Sequence, residues 1–529
     1  MNRRQLLQRG TALIAAAGLA RPALVRAASA STLKFVPYAD LALTDPLVPA
    51  FVTRNHAMMV YDTLFALDEA GNPQPQMLQG YVAEDDGRTW KLTLRDGLRF
   101  HDNTPVLGRD VVATLRRWSV RDSFGAALFA VTEELSAPSD KVVQFRLKRP
   151  FPLFVQALSQ PNSPFPGIMP ERLAQTPPFS LVSEIVGSGP YKFMPGERVP
   201  GARNVYARFE GYVPRGEGTP SFGAGPRVAY FDRVEWQTTP DPGTQIAALQ
   251  AGEVDWVEQP VMDLVPTLRR DSTLKIEPVE THGLIGALRF NCLFPPFDNP
   301  AIRRAALKAV RQRDYMEAVA GDDASIWNDH VGFFPPGTPM ASDAGMENLN
   351  GKHDPAELKR EVIEAGYKGE RVVFLGASDV AGISAICLVG ADMLRRIGFN
   401  VDYVSTDWGT VIQRQTRKQP LDQGGWSMFG SFWSPYNWIT PAGHLPLRGN
   451  GLDAFPGWPT APKLEALRQD WLAASDLATQ QAIARKIQLQ AMEDAPILPL
   501  GLYYQPTAYR ADLTGMLKGL PLFTNLRRA

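Results

Sequence analysis

A strand–helix–strand unit in the second half of the chain constrains the fold more than any other part of the sequence. Residues 371–375 form a continuous apolar run that is typical of a buried strand, and residues 381–397 have the length and pattern of a helix. Residues 399–404 then return as a second strand. Two strands joined by one helix at this spacing predict a parallel, right-handed crossover in an α/β sheet. We expect a ligand beyond the carboxyl ends of these strands, at residues 378–379 and 406–408.

The chain is too long for one hydrophobic core. A single core stops growing at roughly 250–300 residues, so 529 residues predict at least two domains. The 55 Lys and Arg balance the 55 Asp and Glu. This balance argues against a nucleic-acid-binding protein, which usually carries a strong basic excess.

The first thirty residues resemble a secretory signal peptide. They contain the pair Arg3-Arg4, an apolar run at residues 11–20 that is too short to span a bilayer, and the small residues Ala28-Ser29-Ala30. The twin arginine favours the Tat route, with an ordinary Sec signal or a chance pair as the alternatives. No later segment has the length and apolarity of a transmembrane helix, and no cysteine lies near this segment. We expect an exported, soluble protein without a lipid anchor.

Catalytic and metal-binding motifs do not emerge from the sequence. No two of the six histidines lie three to five residues apart, and the two cysteines, Cys292 and Cys387, form no cluster with them. A nucleophile elbow of the G-x-S-x-G type is also absent. Cys292 and Cys387 are compatible with either a disulfide or two buried thiols in an exported protein. An enzyme that uses acidic residues far apart in the sequence stays open.

Five segments, in order, resemble the family-5 extracellular solute-binding proteins that serve dipeptide, oligopeptide and nickel ABC transporters. The most diagnostic is WKLTLRDGLRFHDNTPVLGRDVV, which resembles the family's strand, Phe-His-Asp turn and helix. The five segments are residues 61–65, 90–112, 186–193, 245–255 and 291–310. They follow one another in the family's order between residues 61 and 310.

The resemblance implies an α/β fold of the two-lobed periplasmic binding protein type (type II-like, cluster C), with an extra subdomain in lobe I. Hinge closure of the two lobes would engulf the ligand in the cleft. The implied division is a Tat-type signal peptide at 1–30, lobe I at 31–60, 180–272 and 496–529, an inserted subdomain at 61–179, and lobe II at 273–495.

The resemblance also implies the function. A periplasmic, monomeric receptor would capture a small organic solute and deliver it to a membrane-embedded ABC permease, with no catalysis, cofactor or metal. Peptide-binding members carry an Asp shortly after the counterpart of Trp426 and, in some, an Arg after the strand at 371–375. This chain has Ser427, Met428 and Phe429 at the first place and no basic residue in 376–386. We therefore expect that a free zwitterionic dipeptide is not the ligand.

An aromatic stretch supplies the predicted binding wall. Seven aromatic residues within residues 408–438 are interrupted by Gly and Pro, so a loop-borne wall is favoured over a buried core. Asp45 and Asp407 are candidates for orienting polar groups of the ligand, or are helix caps. The predicted ligand-binding residues are Trp408, Trp426, Met428, Phe429, Phe432, Trp433, Tyr436 and Asp45, with Trp438 as a further aromatic.

Other functions remain as alternatives at this point. An exported hydrolase with dispersed acids would turn over its substrate, whereas a receptor would only bind it. A periplasmic chaperone or sensor with the same fold would bind protein surfaces. Nickel or haem binding is disfavoured because the histidines are scattered.

Overall fold

The structure of the protein, a computed structural model, describes residues 32–349 and 353–529, so the predicted signal peptide at 1–30 lies outside the described residues. The strands, numbered in chain order, are β1 Thr32–Val36, β2 Phe65–Leu67, β3 Pro73–Pro75, β4 Leu78–Glu84, β5 Thr89–Leu94, β6 Thr132–Ser139, β7 Val142–Leu147, β8 Tyr191–Phe193, β9 Arg203–Arg208, β10 Arg233–Gln237, β11 Trp256–Val257, β12 Leu274–Pro278, β13 Leu284–Phe290, β14 Trp327–Asn328, β15 Arg371–Ala377, β16 Asn400–Thr406, β17 Met428–Trp433, β18 Ile497–Tyr503, β19 Pro506–Arg510, β20 Leu513–Thr514 and β21 Arg527–Arg528. The α-helices are α1 Phe51–Val60, α2 Gly108–Ser119, α3 Ser123–Val131, α4 Phe154–Ala157, α5 Glu171–Ala174, α6 Pro242–Ala251, α7 Val265–Leu268, α8 Pro300–Lys308, α9 Gln312–Ala320, α10 Pro355–Glu364, α11 Ala381–Arg396, α12 Trp408–Arg414, α13 Pro462–Ala473 and α14 Leu477–Asp494.

A six-stranded mixed sheet contains the predicted crossover. Its strand order is β14-β18-β13-β17-β15-β16. β15 and β16 pair in parallel over their full length, and α11 connects them. The parallel strand–helix–strand unit predicted from the sequence is therefore confirmed.

A seven-stranded sheet forms the other large layer, in the order β12-β19-β11-β1-β10-β9-β8. β1 pairs in parallel with both β10 and β11. Its core is aromatic, since the ring of Phe35 lies 4.7 Å from that of Trp256 and 4.9 Å from that of Phe523, centroid to centroid. Edge-on ring pairs of this kind stabilise the layer beyond their buried area.

A smaller antiparallel sheet, β4-β5-β7-β6, is built from residues 78–147. It falls within the predicted inserted subdomain at 61–179. The limits of that subdomain stay a prediction.

Two short segments carry the chain between the large sheets. One joins β12 of the seven-stranded sheet to β13 of the six-stranded sheet, and the other joins β18 to β19. β18 pairs with β13 and β14, so residues 497–503 belong to the six-stranded sheet. The predicted lobe bounds at residues 273 and 496 stay predictions; β12 lies in the seven-stranded sheet and β18 in the six-stranded sheet.

The two cysteines answer one question that the sequence left open. Cys292 and Cys387 are both free thiols, so the two-thiol alternative holds in this structure. Cys387 lies on α11 against β17, where a Cβ added at Gly430 would come within 2.6 Å of its sulfur. Within the described ranges, every helix is too short or too polar to cross a bilayer.

Candidate functional site

A cavity of about 60 Å³ lies between the two large sheets, where the crossing segments meet helix α1. Its walls come from both crossing segments, from the end of β11 and from Ser434, the residue after β17. The lining residues are Phe51, Arg54, Trp256, Glu258, Gln259, Val279, Glu280, Leu284, Ser434, Gln505, Thr507, Leu520 and Pro521.

Arg54 supplies a buried positive charge to this cavity. Helix α1 is buried from Val52 to Val60, so the Arg54 side chain lies in the protein interior. One terminal nitrogen, Nη1, donates to Ser434 Oγ at 3.2 Å, and the guanidinium carbon lies 5.1 Å from the centre of the Phe51 ring. Nε is buried without a hydrogen-bond partner among the described residues. Burial lowers the pKa of Arg54, while Glu280 and Glu258 oppose the shift.

Glu258 brings a buried negative charge from the carboxyl end of β11. Its Oε2 accepts a hydrogen bond from Tyr38 N and its Oε1 accepts one from Asn55 Nδ2, both at 2.9 Å. Burial raises the pKa of Glu258 to about 6, because desolvation disfavours the charged form more than these contacts favour it.

Glu280, on the segment between β12 and β13, brings the second carboxylate. Its Oε1 accepts a hydrogen bond from His282 N at 3.0 Å and lies 3.4 Å from His282 Nδ1. Its Oε2 is buried and has no hydrogen-bond partner among the described residues. Leaving a buried carboxylate oxygen without a donor is costly, so any donor that reached Oε2 would be stabilising.

Arg54, Glu258 and Glu280 are the charged residues among those that line the cavity. Two carboxylates face one guanidinium, and one atom of Glu280 and one of Arg54 lack partners. A ligand with a hydrogen-bond donor for Glu280 Oε2 and an acceptor for Arg54 Nε satisfies both. Within the described ranges, no group of three or more His, Cys, Asp or Glu residues is placed to hold a metal ion.

Three of the predicted ligand-binding residues, two of them from the aromatic wall, lie away from the cavity. Trp426, Met428 and Phe429 are 0%, 0% and 1% exposed and belong to the hydrophobic core. β17 runs antiparallel to β13, and Ile285 of β13 pairs with Trp433, the last residue of β17. Because Leu284, next to Ile285, lines the cavity, the Trp433 end of β17 is the end nearer the cavity. At about 3.3 Å per residue, Met428 lies about 17 Å along the strand from Trp433. The prediction that these three residues line the cleft is wrong, because they pack in the core at the end of β17 that lies away from the cavity.

The contacts of Asp45 do not fit its predicted role in ligand binding. Its carboxylate pairs with Arg117 at 2.7 Å and accepts backbone hydrogen bonds from Leu47 and Val182. Arg117 Nη1 adds another donor at 3.2 Å. Each carboxylate oxygen of Asp45 already accepts two hydrogen bonds from the protein. Asp45 therefore forms a buried structural ion pair with Arg117 and has no acceptor capacity left for a ligand.

The other predicted residues lie near the cavity end of the sheet. Trp408, Phe432 and Trp433 are half-buried, and none of them lines the cavity. Asp407 caps α12 through Thr410 N, which fits the cap alternative. Tyr436 lies between the two large parts of the molecule, stacked on Phe222 with 5.3 Å between ring centres. A ligand-binding role for Trp408, Phe432, Trp433 and Tyr436 stays a prediction.

The charged residues of the cavity were missed at the sequence level. Glu258 directly follows the short strand Trp256–Val257, so the rule that places ligands beyond carboxyl ends of strands points to it. Arg54 lies within a run that gives little sign of lining a site. Glu280 comes from the crossing segment, and only the fold brings it close to Arg54.

Comparisons with known proteins agree with this architecture. Residues 72–450 match the family model described as bacterial extracellular solute-binding proteins, family 5 middle. The probable peptide ABC transporter periplasmic-binding protein y4tO of Sinorhizobium fredii is 36% identical, with 100% of each chain covered. The glutathione-binding protein GsiB of Pectobacterium atrosepticum is 24% identical over 87% of this chain and 86% of its own.

Solved structures share the fold. The periplasmic binding protein AgaA from A. tumefaciens R10, in complex with agropinic acid, superposes with a TM-score of 0.77 at 21% identity, covering 94% of this chain and 99% of its own. A dipeptide-binding protein from Pseudoalteromonas sp. SM9913, in complex with Met-Leu, also gives 0.77, at 20% identity and coverages of 94% and 100%. The predicted two-lobed α/β fold is confirmed, with the two large sheets as the lobes. The chain therefore belongs to the family-5 bacterial extracellular solute-binding proteins, as the five ordered segments predicted.

Proposed function

We propose that this solute-binding receptor of an ABC importer holds its ligand in the cavity between the lobes, among Arg54, Glu258 and Glu280. The observation that carries the proposal is the pair of buried, unpartnered atoms Glu280 Oε2 and Arg54 Nε beside that cavity. A small polar solute with a cationic nitrogen and an acceptor group complements both atoms.

The charge of the cavity changes the expectation about zwitterions. The argument against a free dipeptide rested on a missing Asp after Trp426 and a missing Arg after β15. Charges of both signs reach the cavity from other elements, namely α1, β11 and the segment after β12. That argument therefore no longer holds, and an amine-bearing acid fits the cavity. The names of the similar proteins mention peptides, glutathione and agropinic acid, which are different classes of ligand. We therefore derive the ligand class of this protein from the charged residues of its cavity.

The protein acts as a receptor with a permease as its partner and performs no catalysis in this proposal. The support is that its relatives are named as binding proteins. We also propose that it is a monomer.

The test begins with native mass spectrometry of the purified protein, which identifies a co-purifying solute. Calorimetry then compares its affinity for the parent, Glu280→Gln and the control Trp426→Phe. We expect Glu280→Gln to weaken binding about tenfold or more, since one charge-assisted bond is worth about 1.5–3 kcal/mol. Trp426→Phe should lower the melting temperature and leave the affinity within about twofold. An unchanged affinity for Glu280→Gln contradicts the site, and turnover of the solute contradicts the receptor.

We further propose that residues 1–30 direct the protein to the periplasm by the Tat route. The support is the Arg3-Arg4 pair before the short apolar run. Replacing both arginines with lysine should leave the precursor in the cytoplasm, because the pair itself is recognised and not its charge. Fractionation followed by immunoblotting measures this. Normal export of the Lys-Lys variant would rule out the Tat route and leave export by Sec.

A further inference from the structure

The charges that line the cavity do not balance. The lining contains one arginine, Arg54, and two glutamates, Glu258 and Glu280, and its other residues are uncharged. With all three side chains ionised, one positive charge against two negative charges leaves a net charge of −1. His282, whose Nδ1 lies 3.4 Å from Glu280 Oε1, adds a positive charge only when it is protonated. At about pH 7.5, where a histidine is mostly neutral, the cavity therefore carries an excess negative charge.

The three charged side chains form no salt bridge with one another. Among the described residues, no Lys or Arg nitrogen lies within 4.0 Å of a carboxylate oxygen of Glu258 or Glu280. The amide of Asn55 links two of the charges instead: its Oδ1 accepts a hydrogen bond from Arg54 Nη2 at 3.4 Å, and its Nδ2 donates to Glu258 Oε1 at 2.9 Å. Because Arg54 and Glu258 are joined through an amide, neither charge neutralises the other by direct contact.

Both carboxylates have acceptor capacity for a cation. Glu280 Oε2 is buried and accepts no hydrogen bond among the described residues. The two oxygens of Glu258 accept one hydrogen bond each, from Tyr38 N and Asn55 Nδ2, although a carboxylate oxygen has two lone pairs. A hydrogen bond from an ammonium group to a carboxylate is about twice as strong as one between neutral groups. Two cationic nitrogens, one for each carboxylate, would therefore bind better than one.

The uncharged part of the lining is largely apolar. It includes Phe51, Val279, Leu284 and Leu520. Side chains of this kind favour contact with the methylene groups of a ligand, because burial of apolar surface is stabilising. At about 60 Å³, the cavity is also small. A complementary solute therefore has charged groups at its ends and a short hydrocarbon chain between them.

We propose that the cavity selects a small diamino acid, a solute with two cationic nitrogens, one carboxylate and a short methylene chain. The proposal rests on the placement of the ligand among Arg54, Glu258 and Glu280. The carboxylate of the solute pairs with Arg54, and its two nitrogens pair with the two glutamates. The net charge of such a solute is opposite in sign to that of the lining, so binding leaves the closed cavity neutral.

Probes of similar size separate the effect of charge from that of shape. L-Ornithine has two ammonium groups and one carboxylate, and L-norvaline has the same carbon chain without the second ammonium group. L-Glutamate has a second carboxylate in its place, and putrescine lacks the carboxylate of ornithine. Calorimetry at about pH 7.5 gives the affinity of each probe for the parent, Glu258→Gln, Glu280→Gln and the control Glu253→Gln. Glu253 is exposed and does not line the cavity.

We expect the parent and Glu253→Gln to bind ornithine about tenfold or more tightly than norvaline, because norvaline leaves one carboxylate without a cation. Glutamate and putrescine should both bind more weakly than ornithine. One of the two cavity variants should lower the ratio of the ornithine affinity to the norvaline affinity by about tenfold, namely the one that removes the carboxylate bound to the second ammonium group. The other should weaken both probes alike.

The outcomes separate an error in the ligand class from an error in its placement. Equal affinities of the parent for ornithine and norvaline, or a ratio that neither cavity variant lowers, overturn the diamino acid class. If the cavity variants still weaken every probe, the cavity stays the site. If the probes bind and neither variant changes any affinity, the placement itself is wrong. A parent that does not bind ornithine also overturns the class, and the co-purifying solute then tests the placement with Glu280→Gln. The ranking of the probes by the parent decides the class even where a variant does not fold.

Discussion

At the scale of single residues, buried charges of this protein differ in how far the chain itself fills their hydrogen-bonding capacity. Asp45 and Arg117 form a buried pair in which Arg117 also donates to the carbonyls of Thr176 and Ser180. Arg54 is equally buried but keeps an unpartnered Nε, and Glu280 keeps an unpartnered Oε2. Because a buried polar atom without a partner is destabilising, a ligand that pairs with these two atoms would gain free energy of binding there.

Glu258 makes the stability of the protein depend on pH. Burial raises its pKa from 4.5 to about 6. Its contribution to stability is therefore fully present below about pH 4.5 and is lost as the pH rises through about 6. Between about pH 4.5 and 7.5, we expect the parent to lose about 2 kcal/mol of unfolding free energy relative to Glu258→Gln.

Urea unfolding of the two proteins across this pH range gives the difference directly. The same exchange at the exposed Glu253 serves as the control and should give a difference that hardly changes with pH. A pH-independent difference for Glu258→Gln would contradict a raised pKa in the folded state.

At the scale of elements, a buried arginine attaches a long connecting segment to the six-stranded sheet. Arg289, in the middle of the sheet on β13, is 1% exposed. It donates to the backbone carbonyls of Pro446, Phe455, Pro456 and Pro496. Gly457 has φ of +114°, and a Cβ there would lie 2.4 Å from Arg289 Nε. The segment between β17 and α13 is thus held to the sheet by hydrogen bonds from the Arg289 guanidinium.

Replacing Arg289 with Met should destabilise lobe II. Several buried carbonyls lose their donor at once, and each unsatisfied buried group costs about 1–3 kcal/mol, so we expect a loss of at least about 3 kcal/mol. Hydrogen exchange should accelerate first in residues 446–456. Arg304→Met is the matched control, because Arg304 is partly exposed and donates to one carbonyl, that of Glu493. Equal melting temperatures for the two variants would contradict the role of Arg289.

At the scale of the whole molecule, one segment of lobe II makes contacts with three parts of lobe I and its insert. Ser434 Oγ accepts a hydrogen bond from Arg54, the Tyr436 carbonyl accepts one from Asn162, and the Ala442 carbonyl accepts one from Ser123 Oγ at 2.8 Å. Together with the small volume of the cavity, these contacts describe lobes that are closed on each other.

Closure should respond to the ligand. These few contacts are worth about 1 kcal/mol each, so a bound solute that adds bonds across the cavity shifts the population towards the closed form. Small-angle X-ray scattering should therefore give a smaller radius of gyration with saturating solute than without it. An identical profile in both states would argue against hinge closure in this protein.

The sequence predicted the family, the α/β class and the parallel unit at 371–404. The family came from the resemblance of five ordered segments. The parallel unit followed from local patterns, because apolar runs and helix length report on each chain segment separately. The aromatic wall shows the limit of such patterns. Periodicity marks Trp426 and Phe429 as apolar and near a strand, but does not state which end of that strand faces the cleft.

The direction of β17 in the sheet determines which of its residues lie near the cavity, and only the tertiary structure shows that direction. Pairing antiparallel to β13 places Trp433 and Ser434 at the cavity end of β17 and leaves Trp426 beyond the opposite end of that strand. Arg54, Glu258 and Glu280 are more than two hundred positions apart from first to last, so no spacing rule relates them. The sequence by itself determined which receptor family the chain folds into. The packing of the two lobes determined which charged residues meet in the cleft, because a cleft forms between two packed lobes and no single chain segment specifies it.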